Sequence, residues 1–304
     1  MSAPATSSTR LPPTLAAAAA SAGDEARLEP SSGAAAPVSG LASRVFVAAL
    51  GLPLVVGAVW AGGWWLFALL ACAGSLALHE FFRMTRPLRP LAIAGYAGFL
   101  GALVAAQESG LDWAVAALLG TLVLAFLLKG LSGTTGSATV SVGVSVLGTA
   151  WIGLGLAAAL LLRGLPEHGL LATLTVLLAV FADDTAAYFV GCLVGRHKLA
   201  PAISPGKTWE GLVAGTAAAV LVTFLALYED RDSFLSIGES LALGMVVAAA
   251  APLGDLFESM LKRDMGVKDT GRVLAGHGGV LDRLDSLLFA LPASYFAVLA
   301  FTGG

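Results

Sequence analysis

Nine apolar runs, each of roughly the length that crosses a hydrocarbon layer as a helix (about 17 to 25 residues), constrain this sequence more than any other feature. They fall near residues 45–62, 64–82, 91–106, 111–128, 144–162, 170–195, 208–228, 238–258 and 284–301, separated by charges or turn residues. The chain is 57% hydrophobic and only 12% charged, against about 25% charged in a soluble domain. Such a chain cannot cover a water-facing surface. The expected fold class is therefore all-α: a polytopic membrane protein with about nine transmembrane helices. A Gly-, Ser- and Thr-rich stretch from Leu131 to Thr149 blurs the start of the fifth span, so counts of eight and ten stay open.

Residues 1–43 are rich in Ala, Ser, Pro and Thr and nearly devoid of large apolar side chains. Too little surface is available there to offset the entropy of ordering. They are read as a disordered cytoplasmic tail, with residues 44–304 as the transmembrane domain. The run Leu15 to Ala20 is too short and too rich in alanine for a signal-peptide core, so no cleaved signal is expected.

Lysines and arginines concentrate in cytoplasmic loops. With the tail inside and nine spans following, only Arg163 and Arg231 of the 17 Lys and Arg residues fall outside. Adding or removing a span mid-chain would invert everything after it and spoil that division. The C-terminus is expected outside, and Trp60, Trp64, Trp65 and Trp113 lie near outer ends, as in an interfacial aromatic belt. The net charge of −3 argues against a nucleic-acid partner. Cys72 and Cys192 sit within apolar runs, lack metal-ligand spacing, and are read as buried small hydrophobes.

Three polar clusters fall at the inner side. Asp183 and Asp184 interrupt the sixth span, where an ionisable side chain costs roughly 2.5 to 3.5 kcal/mol. Adjacent carboxylates point to different sides of a helix. They either cap a helix ending there or line a polar cavity. The next loop carries Ser204-Pro205-Gly206-Lys207-Thr208-Trp209-Glu210-Gly211. Its Gly-Lys-Thr is similar to the end of a phosphate loop, but residue 201 is Pro where that motif needs Gly. A cation beside a helix start still suits an anionic phosphate chain.

The third cluster holds Asp255, Glu258, Ser259 and Lys262 at helical spacing, then Arg263, Lys268 and Asp269, then His277-Gly278-Gly279, Asp282, Arg283 and Asp285. Its carboxylates suit a hard cation such as Mg²⁺, and its basic residues suit phosphate. His277 is either an acid or phosphate ligand or part of a tight turn between glycines. His79, His168 and His197 have no clustered partners in the sequence and are read as interfacial bystanders.

The stretch Ser259 to Asp285 resembles the signature of the phosphatidate cytidylyltransferase (CDP-diacylglycerol synthase) family throughout its length, with Ala275 where that family usually has Pro. Asp184-Thr185-Ala186-Ala187-Tyr188, the segment Ser204 to Gly211, and Glu80-Phe81-Phe82 are also similar to family motifs. The likeness covers residues 44 to 301. It implies transfer of a cytidylyl group from CTP to phosphatidic acid, with pyrophosphate released, by a multi-pass enzyme of the inner (plasma) membrane.

The resemblance further implies Mg²⁺ held by Asp255, Asp282 and Asp285, with room for a second cation. Lys207, Lys262, Arg263, Lys268 and Arg283 become candidates for holding phosphate, and His277 joins the catalytic set. Asp184, Tyr188, Ser204, Lys207, Thr208, Glu210, Ser259, Lys268 and Asp269 become candidates for contacting substrate. CTP, phosphatidic acid and the lipid bilayer are the expected partners, and a homodimer is allowed. Two other classes remain in view. One is a CTP-dependent enzyme acting on another lipid, such as a polyprenol kinase or an archaeal-type lipid cytidylyltransferase. The other is an ion-coupled transporter, which would distribute its acids through the spans.

Overall fold

A computed structural model describes residues 51–132, 136–271 and 278–303. The tail at 1–43 lies outside the described residues, as does His277. Nine helices occur among the described residues: α1 (Gly51–Ala61), α2 (Gly63–Met84), α3 (Ala92–Glu108), α4 (Leu111–Leu131), α5 (Ala138–Arg163), α6 (Gly169–Val194), α7 (Trp209–Leu227), α8 (Ile237–Asp264) and α9 (Leu281–Thr302). Seven are long and apolar enough to cross a membrane; α1 and α3 are shorter. The protein is an all-α membrane protein. Its sheet is one hairpin, β1 (Lys198–Ala200) antiparallel to β2 (Ser204–Thr208).

The fifth helix begins at Ala138, ahead of the expected start near 144. Ser137 caps it by accepting the Val140 N–H, and its serines bury themselves through hydrogen bonds. Ser145 Oγ accepts the Leu91 N–H at 2.7 Å, and Thr149 Oγ1 donates to Gly95 O at 3.2 Å. Residues Thr149–Leu154 form a π turn within the helix. This helix is the centre of the bundle: 72% of its most apolar stretch is buried, against 17% for α4.

Burial in α4 selects for small size more than for apolarity. Helix α4 buries only Ala114, Thr121 and Ala125, while Leu119, Phe126 and Leu131 point outward. Lipid tails are as apolar as leucine, so helices gain by close approach of small residues and large side chains face the bilayer. The expectation for the two cysteines is overturned: Cys72 and Cys192 are both exposed, and Cys192 lines a cavity described below. Two buried cores result. One gathers Phe81, Phe99, Trp151 and Leu156; the other gathers Val176, Leu243, Val247 and Leu291.

Local signals set the helix starts near the polar end. Thr208 caps α7 by accepting the Gly211 N–H at 3.1 Å. Ser236 and Glu239 form a reciprocal capping box at the start of α8. Helix ends also pair as nine alternating spans require. Arg163, ending α5, donates to Val59 O and Trp60 O at the end of α1. Glu80, near the end of α2, meets the start of α9. The exposed Trp60, Trp64 and Trp65 belong to the Arg163 end.

Candidate active site

The three polar clusters converge at the opposite end of the bundle from Arg163. Helix α6 runs unbroken to Val194, so neither Asp183 nor Asp184 caps its end. Asp183 is buried against α7, where Gly215 leaves room for its carboxylate, and both its oxygens lack a hydrogen-bond partner among the described residues. Asp184 turns the other way, toward α9, and accepts the Ser286 hydroxyl at 3.5 Å. The two aspartates thus face different neighbours, as their adjacency dictates.

A cavity of about 290 Å³ opens here, lined by Asp183, Asp184, Tyr188, Ser204, Lys207 and Asp255, with other residues of α6, α7 and the hairpin. Lys207 reaches across from β2 and pairs with Asp255 Oδ2 at 2.9 Å, while also donating to Pro252 O at 3.3 Å. Pro252 lies inside α8. Ser259, one turn along, donates to Asp255 Oδ1 at 3.2 Å. Asp184, Asp255 and Asp285 are within electrostatic reach of one another. Such close approach of α8 and α9 depends on Gly254, whose missing side chain admits the Asp285 backbone.

A second group lies beside the cavity. Lys262 pairs with Glu258 Oε2 at 2.5 Å and with Asp282 Oδ1 at 2.9 Å. Asp282 Oδ2 also accepts the Gly279 N–H at 2.7 Å and, more weakly, the Thr270 N–H at 3.3 Å. Across both groups, six carboxyl groups (Asp183, Asp184, Asp255, Glu258, Asp282 and Asp285) accompany two lysines, Lys207 and Lys262.

The expected metal set of Asp255, Asp282 and Asp285 does not come together as one cluster. Asp282 is turned to Lys262 and two backbone amides, whereas Asp255 is turned to Lys207 and Ser259, and Asp184 to Ser286. No ready-made group of three His, Cys, Asp or Glu ligands occurs among the described residues. Mg²⁺ does not need one, since it takes one or two carboxylates and completes its shell with water and substrate phosphates. An all-oxygen donor set rich in carboxyl groups fits that ion.

A sequence model described as the cytidylyltransferase family matches residues 42–301. The chain belongs to the cytidylyltransferase family. Over 135 residues this cytidylyltransferase is 44% identical to the phosphatidate cytidylyltransferase of Haemophilus influenzae, a match covering 43% of this chain and 47% of that protein. Over 126 residues it is 45% identical to the phosphatidate cytidylyltransferase of Staphylococcus haemolyticus, covering 41% of this chain and 48% of that protein. The chain spans about half the length of the curated relatives it matches.

Other expected site residues of this cytidylyltransferase occupy distinct places. Arg263 is exposed and donates to Ile203 O at 3.2 Å, tying α8 to the turn of the hairpin. Lys268, Asp269 and Arg283 are exposed. Thr208 lines the cavity while its hydroxyl caps α7. Glu210 braces the hairpin by accepting from His197, with Nδ1 to Oε1 at 2.6 Å. His197 therefore does have a partner, and His168 stacks on Phe234 with ring centroids 4.5 Å apart.

The sequence reading left Asp183, Glu258 and Glu80 off the list of site residues. Glu258 was visible as one member of a helical face, but spacing alone did not reveal that it is fully buried.

Proposed function

We propose that this cytidylyltransferase makes CDP-diacylglycerol, transferring CMP from CTP to phosphatidic acid and releasing pyrophosphate. The observation that carries this reading is the cavity in which Lys207 meets Asp184 and Asp255 at one end of a membrane bundle. A lipid phosphate lies at headgroup depth, so a site at the end of the spans lets it meet a nucleotide arriving from water. The named relatives act on phosphatidate.

In this reading a phosphate oxygen of the lipid attacks the α-phosphorus of CTP. The new O–P bond forms as the bond to the β-phosphate breaks, and pyrophosphate leaves with the electron pair. The lipid phosphate is already anionic, so catalysis rests on alignment and charge neutralisation. Lys207, held between Asp255 and Pro252 O, supplies a cation to the phosphate chain. Ser259 orients Asp255, and Ser286 orients Asp184. Asp184, Asp255 and Asp285 would hold Mg²⁺, which when bound neutralises phosphate charge.

CTP labelled at its α-phosphate separates this reaction from its nearest alternative. With purified protein, Mg²⁺ and phosphatidic acid, the label should enter CDP-diacylglycerol. Labelling of lipid from the γ-phosphate alone would instead indicate a CTP-dependent lipid kinase. A transporter is disfavoured by the gathering of acids at one end rather than along the spans.

The site end is proposed to face the cytoplasm of a bacterial inner membrane, in keeping with the positive-inside rule. A reporter fused after Lys198 should then read inside and one after Ser236 outside. Both on one side would refute the nine-span orientation.

A further inference from the structure

Glu80 is a carboxylate that the proposed chemistry does not use. It lies on α2 beside Phe81 and Phe82, is only 1% exposed, and is separated from the signature segment by some 200 residues of sequence. Burying a carboxylate is unfavourable unless it is paired or hydrogen-bonded. Among the described residues its hydrogen-bond partners all lie in the signature segment and all bind Oε2, while Oε1 has none. Oε2 accepts the Leu281 N–H at 2.9 Å and the Thr270 hydroxyl at 3.4 Å.

Leu281 is the first residue of α9. Its amide is one of the donors a helix start leaves unmatched, and a negative charge there is favoured by the helix dipole. The backbone closes round the carboxylate so tightly that a Cβ at either Gly271 or Gly279 would collide with it. Asp282 grips the same two places from the other side, accepting from Gly279 N and Thr270 N. Glu80 and Asp282 thus hold residues 270 and 279–281 between them, and Asp282 passes the hold to Lys262.

We infer that Glu80 is a positioning residue: a fixed carboxylate on α2 that pins Thr270 and the first turn of α9, and so sets where Asp282 and Asp285 stand relative to Asp255. The inference rests on the proposed function for its effect on turnover. Its structural half is independent of it.

The test is hydrogen–deuterium exchange and steady-state kinetics on the full chain in detergent, comparing wild type with Glu80→Gln and Thr270→Val. Gln keeps the shape and one acceptor but removes the charge facing α9. Exchange at Thr270–Gly271 and Gly279–Leu281 should quicken by at least about fivefold, with Lys198–Thr208 unchanged. The kcat should fall about tenfold with the KM for CTP nearly constant, as for a misplaced rather than a missing group. Thr270→Val loses only the hydroxyl and should show the same pattern more weakly; it carries the test if Glu80→Gln does not accumulate.

Wild-type exchange at the two pinned sites would overturn the inference, as would loosening without any loss of kcat. A uniform rise across all helices would also overturn it, by marking ordinary packing. A wild-type chain that makes no CDP-diacylglycerol would refute the proposed function, while the exchange result would still decide whether Glu80 pins the segment.

Discussion

Asp255→Asn should lower kcat by at least about a hundredfold, roughly 2.7 kcal/mol of transition-state stabilisation. Asn preserves the shape and can still accept from Ser259, 3.2 Å away. It removes the charge that holds Lys207 at 2.9 Å and that acts electrostatically on Asp184 and Asp285. The variant should also need more Mg²⁺ to reach half its own maximum, which a steady-state titration will read. Asp282→Asn should reduce turnover on the same scale with an unchanged Mg²⁺ midpoint, because Asp282 is committed to Lys262 and the Gly279 amide. Asp269→Asn should be mild, since Asp269 is exposed. Near-normal turnover by Asp255→Asn at saturating Mg²⁺ would remove that residue from the reaction centre.

Lys262→Met should unfold the chain more readily than any of these changes. Glu258 is completely buried, and among the described residues its ion-pair partner is Lys262, with Asp282 on the other side of the same ammonium. Removing one member of a buried pair leaves its partner's charge uncompensated, a loss of about 3–5 kcal/mol. Thermal unfolding in detergent should show a clear fall in midpoint. The double variant Lys262→Met, Glu258→Gln should recover part of it, because the second change removes the stranded charge. A double variant destabilised by the sum of the Lys262→Met and Glu258→Gln effects would mean that the pair contributes no coupling energy.

Much of the architecture was legible because a bilayer writes its thickness into the sequence: the nine apolar runs match the nine helices among the described residues. The start of α5 was not legible. Its serines look like loop residues, and only their bonds to Leu88 O, Leu91 N and Ser141 O explain why they are buried in a helix. Cys72 was misplaced because a rule learned from water, apolar side chains inward, loses its force where lipid is the solvent, and Cys192 because spacing did not show that it lines the cavity.

At the site, contacts within one helix face could be read from spacing. Ser259 with Asp255 and Lys262 with Glu258 are each four residues apart. Pairings across elements could not. Lys207 with Asp255, Glu80 with Leu281 and Lys262 with Asp282 depend on how helices pack. The hairpin at 198–208 was read as a loop, since its strands are too short to carry an alternating pattern.

The π turn at Thr149–Leu154 gives α5 two phases. One extra residue in a helix rotates everything beyond it by about 100°, so the face set by Ser141 and Ser145 against the α2–α3 turn does not continue into the second half. There Gly155 turns its bare backbone to Leu288 of α9, and Arg163 reaches the end of α1. Deleting a single residue from this turn would improve the helix as a helix and put its two halves in one phase. It would then swing Gly155 away from Leu288, which lies about one turn beyond Asp285 on α9. The irregularity lets one central helix stay in step with two separate cores.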